Sequence, residues 1–437
     1  MEVEIFMGKK LRVLVALTMA LTMIMGSCAI AEVQGKYLVE GFDWGPAVTK
    51  LILNMGETQD PAALSAEAFG VTEHKQFMDF QNMTPAEGDF PRTVLDAYVS
   101  TEAGERADAP DNFVVLELGY DPNTGSPFFY DFLATGQNKW AAPYELNVTK
   151  DGAALEITAM ERLIPQTEMF QEEAPIGYAD VALSYSYYTP AADEKKNALI
   201  IWLHGAGEGG ADKNIVLLGN KVAVLATPEI QDLFGGAYVL CPQAPTMWMD
   251  NGEKNPDTGA PVYVHDGNYT SIYTEGLMAL IQQFVSEHED IDPAKIIIGG
   301  CSNGGFMTVN MLLHNPDYFR AAYPICEAYQ DSWITDEGIA AIAKVPTWFT
   351  YAENDTVVDP LLNAAPTVER LKAAGANVQL SVFPDVVDMT GLYKTPDGAP
   401  QQYMGHWSWL YTLNNQCVAQ IDGADVAIWN WLADLVK

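Results

Sequence analysis

The sequence is short of positive charge, of cysteine and of long apolar runs. Its 23 lysines and arginines stand against 58 aspartates and glutamates, a formal net charge of −35. A surface of this sign repels phosphate backbones, which excludes nucleic acid as a partner, because that affinity rests on Lys and Arg neutralising phosphates. Five cysteines in 437 residues are too sparse for a disulfide scaffold. Cys241, Cys301, Cys326 and Cys417 match no zinc spacing and read as buried free thiols. No H-E-x-x-H or grouped His and Cys is present, so no metal is expected.

Runs of membrane length are missing as well. The longest apolar stretch, Leu11 to Met25, is shorter than the ~20 residues a spanning helix needs. Lys9, Lys10 and Arg12 give it a positive flank, and Ala29-Ile30-Ala31 follows as a small-residue cleavage site. Residues 1–31 therefore read as an export signal rather than a retained anchor, with the mature chain starting near Glu32. Met25-Gly26-Ser27-Cys28 loosely resembles a lipoprotein box, which would instead attach the chain through Cys28. The expectation is a secreted or cell-surface protein with no membrane insertion after signal cleavage.

A chain of this length exceeds one ordinary core, and two domains are expected. Residues 33–165 carry short strand-like runs, Val48–Leu53, Thr93–Val99 and Phe113–Leu118, separated by turns such as Asp121-Pro122-Asn123-Thr124-Gly125. That pattern predicts an all-β sandwich. From 175 to 437 continuous apolar runs alternate with helix-length segments. Ala198–Leu203, Ala237–Leu240, Lys295–Gly300, Thr347–Thr350 and Val378–Phe383 are the strands; Tyr269–His288, Phe306–Leu313 and Ile428–Val436 are helices. Strands apolar on both faces and joined through helices imply an α/β fold with a mostly parallel sheet.

Gly300-Cys301-Ser302-Asn303-Gly304-Gly305 contains G-x-S-x-G between a buried strand and a helix. A strand turning sharply into a helix strains the serine backbone and lifts its hydroxyl above the sheet, which makes Ser302 the candidate nucleophile. A serine needs a base. Of the two histidines after it, His314 falls too early, at the end of the following helix, and His406 lies beyond the last strand. The acid belongs on the loop after Thr347–Thr350, where Asp355 is preferred over Glu353 and Asp359, with Asp385 a more distant rival. The oxyanion donors are the amide of Asn303 and that of Ala206 or Gly207, in Leu203-His204-Gly205-Ala206-Gly207-Glu208. That stretch lacks the spacing of a phosphate-binding loop, and His204 reads as structural. Trp248, Trp333 and Trp407 are candidates for lining a substrate pocket. The acidic loop from Asn255 to Gly259 and on to His265-Asp266-Gly267 reads as a hairpin or lid rather than a calcium site.

On these residues the second half resembles secreted bacterial esterases related to polyhydroxybutyrate depolymerases, feruloyl esterases and the prolyl-oligopeptidase superfamily. Trp202–Glu208, Gly300–Gly305, Tyr323-Pro324-Ile325-Cys326, Val345-Pro346-Thr347-Trp348 and Gly405-His406-Trp407-Ser408-Trp409 fall in that family's order. Gly41–Pro46 and Val48–Leu53 are similar to the immunoglobulin-like domain that precedes some of these enzymes. The resemblance implies an α/β-hydrolase fold and a cofactor-free acyl-enzyme mechanism through Ser302, Asp355 and His406, acting on a small-molecule or polysaccharide-linked ester. Asn303 after the nucleophile is more typical of the peptidase branch, which keeps a serine peptidase as an alternative; a non-catalytic binder on this scaffold is another. The segment from Asp385 to Met404 matches no family role and reads as a candidate cap.

Overall fold

The computed structural model describes residues 33–131, 133–257, 259–263 and 271–437. The leader at 1–31 and the His265-Asp266-Gly267 end of the acidic loop lie outside the described residues.

Alternation builds the first domain. In Gly45–Gln59 the side chains of Leu51 and Leu53 point inward while Ile52 faces the other way, and in Asp111–Leu118 Val114 and Leu116 do the same around Val115. These strands belong to a five-stranded sheet ordered Ile157–Leu163, Val33–Phe42, Gly45–Gln59, Asp111–Leu118, Val94–Ser100. Its inner face packs on Val71 and Val148 of a second sheet, ordered Ala153–Ala154, Tyr144–Lys150, Phe69–Asp79, Thr84–Arg92. Two mainly antiparallel sheets around one apolar layer make an immunoglobulin-like sandwich. A separate hairpin, Phe128–Asp131 with Gln137–Trp140, leaves this sandwich.

The second domain starts shortly before Pro175, since Gln171–Glu172 already pairs with Val181–Tyr188 of the next sheet. That sheet has nine strands. Val181–Tyr188 runs antiparallel to Ala237–Gln243, and from there Asn197–Leu203, Ile291–Cys301, Ala321–Ile325, Thr347–Ala352 and Val378–Phe383 continue in parallel. All seven residues of Asn197–Leu203 are buried because both faces are covered. Leu199, Ile201 and Leu203 enter one core; Ala198, Ile200 and Trp202 enter the other. Each such Leu or Ile contributes about 1.5–3 kcal/mol of burial. With neighbouring strands about 4.8 Å apart, the ends of Ile291–Cys301 and Thr347–Ala352 lie about 10 Å from one another, with Ala321–Ile325 between. An imidazole reaching from a third loop can bridge that gap.

Polar, aromatic and apolar contacts join the two domains, Leu218 entering the core of the first. Lys221 Nζ donates to Asp43 Oδ1 and to Asn414 Oδ1, both at 2.9 Å, and Asp43 is buried. The segment after Asp385 does not lie free as a cap. Tyr393 meets the Trp44 ring edge-on at 4.6 Å, and Tyr403 stacks on it at 6.3 Å, so the segment is fastened to the first domain. Among the described residues no helix is long and apolar enough to cross a membrane.

Candidate active site

Ser302 ends the strand Ile291–Cys301 and opens the helix Asn303–His314, with φ 56° and ψ −113°. A non-glycine residue at positive φ is strained, and the neighbours make the bend possible. A Cβ on Gly300 or Gly304 would collide with the Leu203 carbonyl, so the motif's glycines are set by backbone approach. The Ser302 amide donates to the Ile325 carbonyl at 2.9 Å, and the Cys326 amide to Thr350 at 2.8 Å. The three strand ends thus stay hydrogen-bonded up to the site.

Asp355 follows Thr347–Ala352 and is buried. Its Oδ1 accepts from the amides of Val357 and Val358 at 2.8 and 2.9 Å, and its Oδ2 faces His406 Nδ1 at 2.7 Å. An ionised carboxylate only accepts, so Nδ1 carries the proton and a neutral imidazole presents a bare Nε2. Gly405 packs so closely on Asn354 that a Cβ there would meet the Asn354 carbonyl carbon at 2.8 Å, which seats the histidine loop on the acid loop. The rival acids are engaged elsewhere. Asp359 accepts from the Leu361 amide, and Asp385 from Asn354, Val386 and Gln402. Glu353 is exposed. His314 donates from Nδ1 to Asn310 within its own helix.

Ala206–Glu208 forms a single 3₁₀ turn after the strand Asn197–Leu203. The first amides of such a turn, those of Ala206 and Gly207, have no partner within it, and neither does the Asn303 amide at the start of its helix. Around this turn His204 is completely buried, and burial lowers its pKa to about 4 against a hydrogen bond to Gly205. Neutral, it donates from Nδ1 to the Gly205 carbonyl at 2.6 Å and accepts at Nε2 from the Ala244 amide at 3.0 Å. It is a structural residue. Burial also pushes the Cys301 thiol well up, so the sulfur beside Ser302 is not a competing nucleophile. All four described cysteines are free and buried.

The three tryptophans separate. Trp248, a candidate for lining a pocket, is completely buried. Its indole N–H donates to the His204 carbonyl at 3.1 Å and its amide to Asn303 Oδ1 at 2.6 Å, so it fixes the site from behind. Trp407 packs against Tyr403 and Trp409 at 6.2 and 5.9 Å between ring centres. Trp333 lines an open cleft of about 320 Å³ together with Met249, Val357, Val358, Leu362 and Asp359. Two of its walls continue segments already placed: Met249 follows Trp248, and Val357 and Val358 hold Asp355. Asp250–Lys254 and Pro261–Tyr263 pair as a hairpin, with the Asn255 amide donating to the Ala260 carbonyl, and no group of three metal-ligating side chains occurs among the described residues.

Two buried carboxyls beside the site escaped sequence reasoning. Glu208 ends the 3₁₀ turn Ala206–Glu208, and burial raises it to about 7 despite bonds from the Gly205 and Glu208 amides and Asn138. Glu327 follows Cys326, packs on Gly305, accepts from the Tyr329 amide at 2.7 Å and is raised by burial to about 8. A carboxylate among glycines was the only available sign of Glu208. Nothing local marks Asn138, which comes from the other domain.

Residues 34–157 match the family described as esterase Ig-like N-terminal domain, and residues 188–390 match phospholipase/carboxylesterase. A crystal structure of a thermostable esterase shares the fold, with a TM-score of 0.64 at 22% identity over 88% of this chain and 96% of that one. A ferulic acid esterase matches at 13% identity over 61% of this chain and 98% of its own, with a TM-score of 0.42. An acylaminoacyl peptidase of Pyrococcus horikoshii matches at 16% identity over 59% and 44%, with a TM-score of 0.37. No curated protein matches in sequence.

Proposed function

We propose that this chain, a serine hydrolase joining an esterase Ig-like N-terminal domain to a phospholipase/carboxylesterase domain, cleaves carboxylic esters through Ser302, His406 and Asp355. His406 Nε2 takes the proton as the Ser302 hydroxyl attacks the ester carbonyl. The Asn303 amide and those of Ala206 and Gly207 receive the negative charge that develops on the carbonyl oxygen. Asp355 holds the imidazole in its tautomer and stabilises the imidazolium. His406 then gives the proton to the departing alcohol, and water releases the acid from Ser302 by the same steps in reverse.

The cleft beside Trp333 supports a neutral substrate. Its walls mix apolar Met249, Trp333, Val357 and Leu362 with the neutral amides of Gln330 and Asn363, and its one charged lining group is Asp359. A carboxylate on the substrate would be repelled, whereas an aromatic or branched neutral group fits a volume in the lower range of ligand sites, about 300–1,000 Å³. Export through residues 1–31 suits a polysaccharide-linked ester outside the cell.

The observation that carries this reading is the buried 2.7 Å bond between His406 and Asp355 at the same sheet edge as the strained Ser302. Turnover of acetyl, butyryl and feruloyl esters and of a peptide anilide by purified protein tests it. Ester turnover abolished in Ser302→Ala is expected. Strong amide cleavage with negligible ester cleavage would support a peptidase instead.

A further inference from the structure

The first domain reaches the oxyanion turn. Its hairpin Phe128–Asp131/Gln137–Trp140 lies across the turn and the loop behind it. Trp140 Nε1 donates to Asp212 Oδ2 at 2.7 Å, Gln137 Nε2 to the Pro245 carbonyl at 2.9 Å, and Asn138 Nδ2 to Glu208 Oε1 at 3.1 Å. The approach is close: a Cβ on Gly207 would stand 2.9 Å from Asn138 Nδ2.

We infer that Asn138 is a positioning residue for the oxyanion turn and acts through Glu208; this rests on the esterase reading above. Amide donors stabilise a developing oxyanion only when held in place beforehand. Gly205, Gly207, Gly209 and Gly210 supply no side chains to hold this turn, so its position depends on what grips Glu208. The Glu208 carboxyl is turned back onto the Gly205 amide, its Cγ packs on Gly219, and the Glu208 carbonyl accepts from Gln243 Nε2 at 2.8 Å. Its side-chain partners are neutral amides, and Asn138 is the one that comes from a side chain. Removing it leaves a buried carboxyl oxygen short of a donor, which is costly unless the side chain moves or water enters. Either response shifts the amides of Ala206 and Gly207. The other titratable groups facing Glu208 are Cys301 and Tyr130.

Asn138→Ala should lower kcat by about tenfold, less than the 10²–10³ for deleting an oxyanion donor outright, with KM for a short aryl ester unchanged. The Ki of a trifluoromethyl ketone, which forms an oxyanion adduct, should rise in step. Asn138→Ala/Glu208→Ala should lose no more than Glu208→Ala alone, because both act on one route. Lys139→Ala, on the same hairpin but paired with Asp131, should keep wild-type kcat. Should the alanine variant not fold, Asn138→Asp serves. It sets a second carboxylate against Glu208, so its kcat relative to wild type should fall at pH 8 and recover at pH 5, where the pair shares a proton. An active wild type with unchanged kcat and Ki in Asn138→Ala, a flat relative pH profile in Asn138→Asp, or multiplying losses in the double variant would overturn this inference alone. A wild type without ester turnover would remove the reading beneath it.

Discussion

At Asp355 both carboxylate oxygens are in use, one on two backbone amides and one on His406. Asp355→Asn keeps the shape but can place an N–H toward His406, which turns the imidazole to the wrong tautomer. Its kcat should fall by on the order of 10⁴ with little change in melting temperature, as ester hydrolysis and calorimetry would show. Glu327 gives a pH prediction. Its ordinary value is 4.5, and burial raises it to about 8. Above about pH 4.5 the unfolded chain releases a proton that the folded chain keeps until about pH 8, so its contribution to stability is fully present below the first value and is lost towards the second. Glu327→Gln should match wild type in melting temperature near pH 4.5 and exceed it by a few degrees at pH 8; a difference independent of pH would contradict the assignment. Ser302 and His406 stand out as candidates in the sequence because a motif and a count of histidines single them out. The side to which Trp248 points was not legible there, since a tryptophan after a strand can turn either into the core or towards a ligand.

The strands of the second domain were legible as elements because burial on both faces writes an unbroken apolar run, as in Asn197–Leu203. The hairpin at 128–140 was not. Its stabilising partners, Asp212, Glu208 and Pro245, lie in the other domain, and no periodicity within the hairpin encodes them. The segment after Asp385 is the same case: its anchor is Trp44, packed on Phe42, Tyr393 and Tyr403. Trp44→Ala should cost roughly 3 kcal/mol, in the range for removing a packed aromatic, and expose residues 388–400 to limited proteolysis. Protease resistance equal to wild type would show that the segment is held by other contacts.

For the whole molecule the dominant sequence property is its charge of −35. Like charges repel within a folded chain, and salt screens them. Raising ionic strength from about 0.01 M to about 1 M shortens the Debye length from about 30 Å to about 3 Å, and the melting temperature should rise. A fall would mean that attractive pairs outweigh the repulsion. The assembly of two domains around one site follows the same division as the sequence. Each core was readable from its own pattern, and what joins them, Lys221 with Asp43, Asn138 with Glu208 and Trp44 with Tyr393, rests on individual side chains. On the proposed mechanism a strained serine is made nucleophilic by a histidine fixed on Asp355. Incubation of the folded protein with a fluorophosphonate, followed by mass spectrometry of its peptides, tests this most directly. One adduct is expected, on Ser302, absent from Ser302→Ala and strongly slowed in His406→Ala. A wild type that hydrolyses esters yet carries its adduct elsewhere, or reacts equally fast without His406, would contradict it.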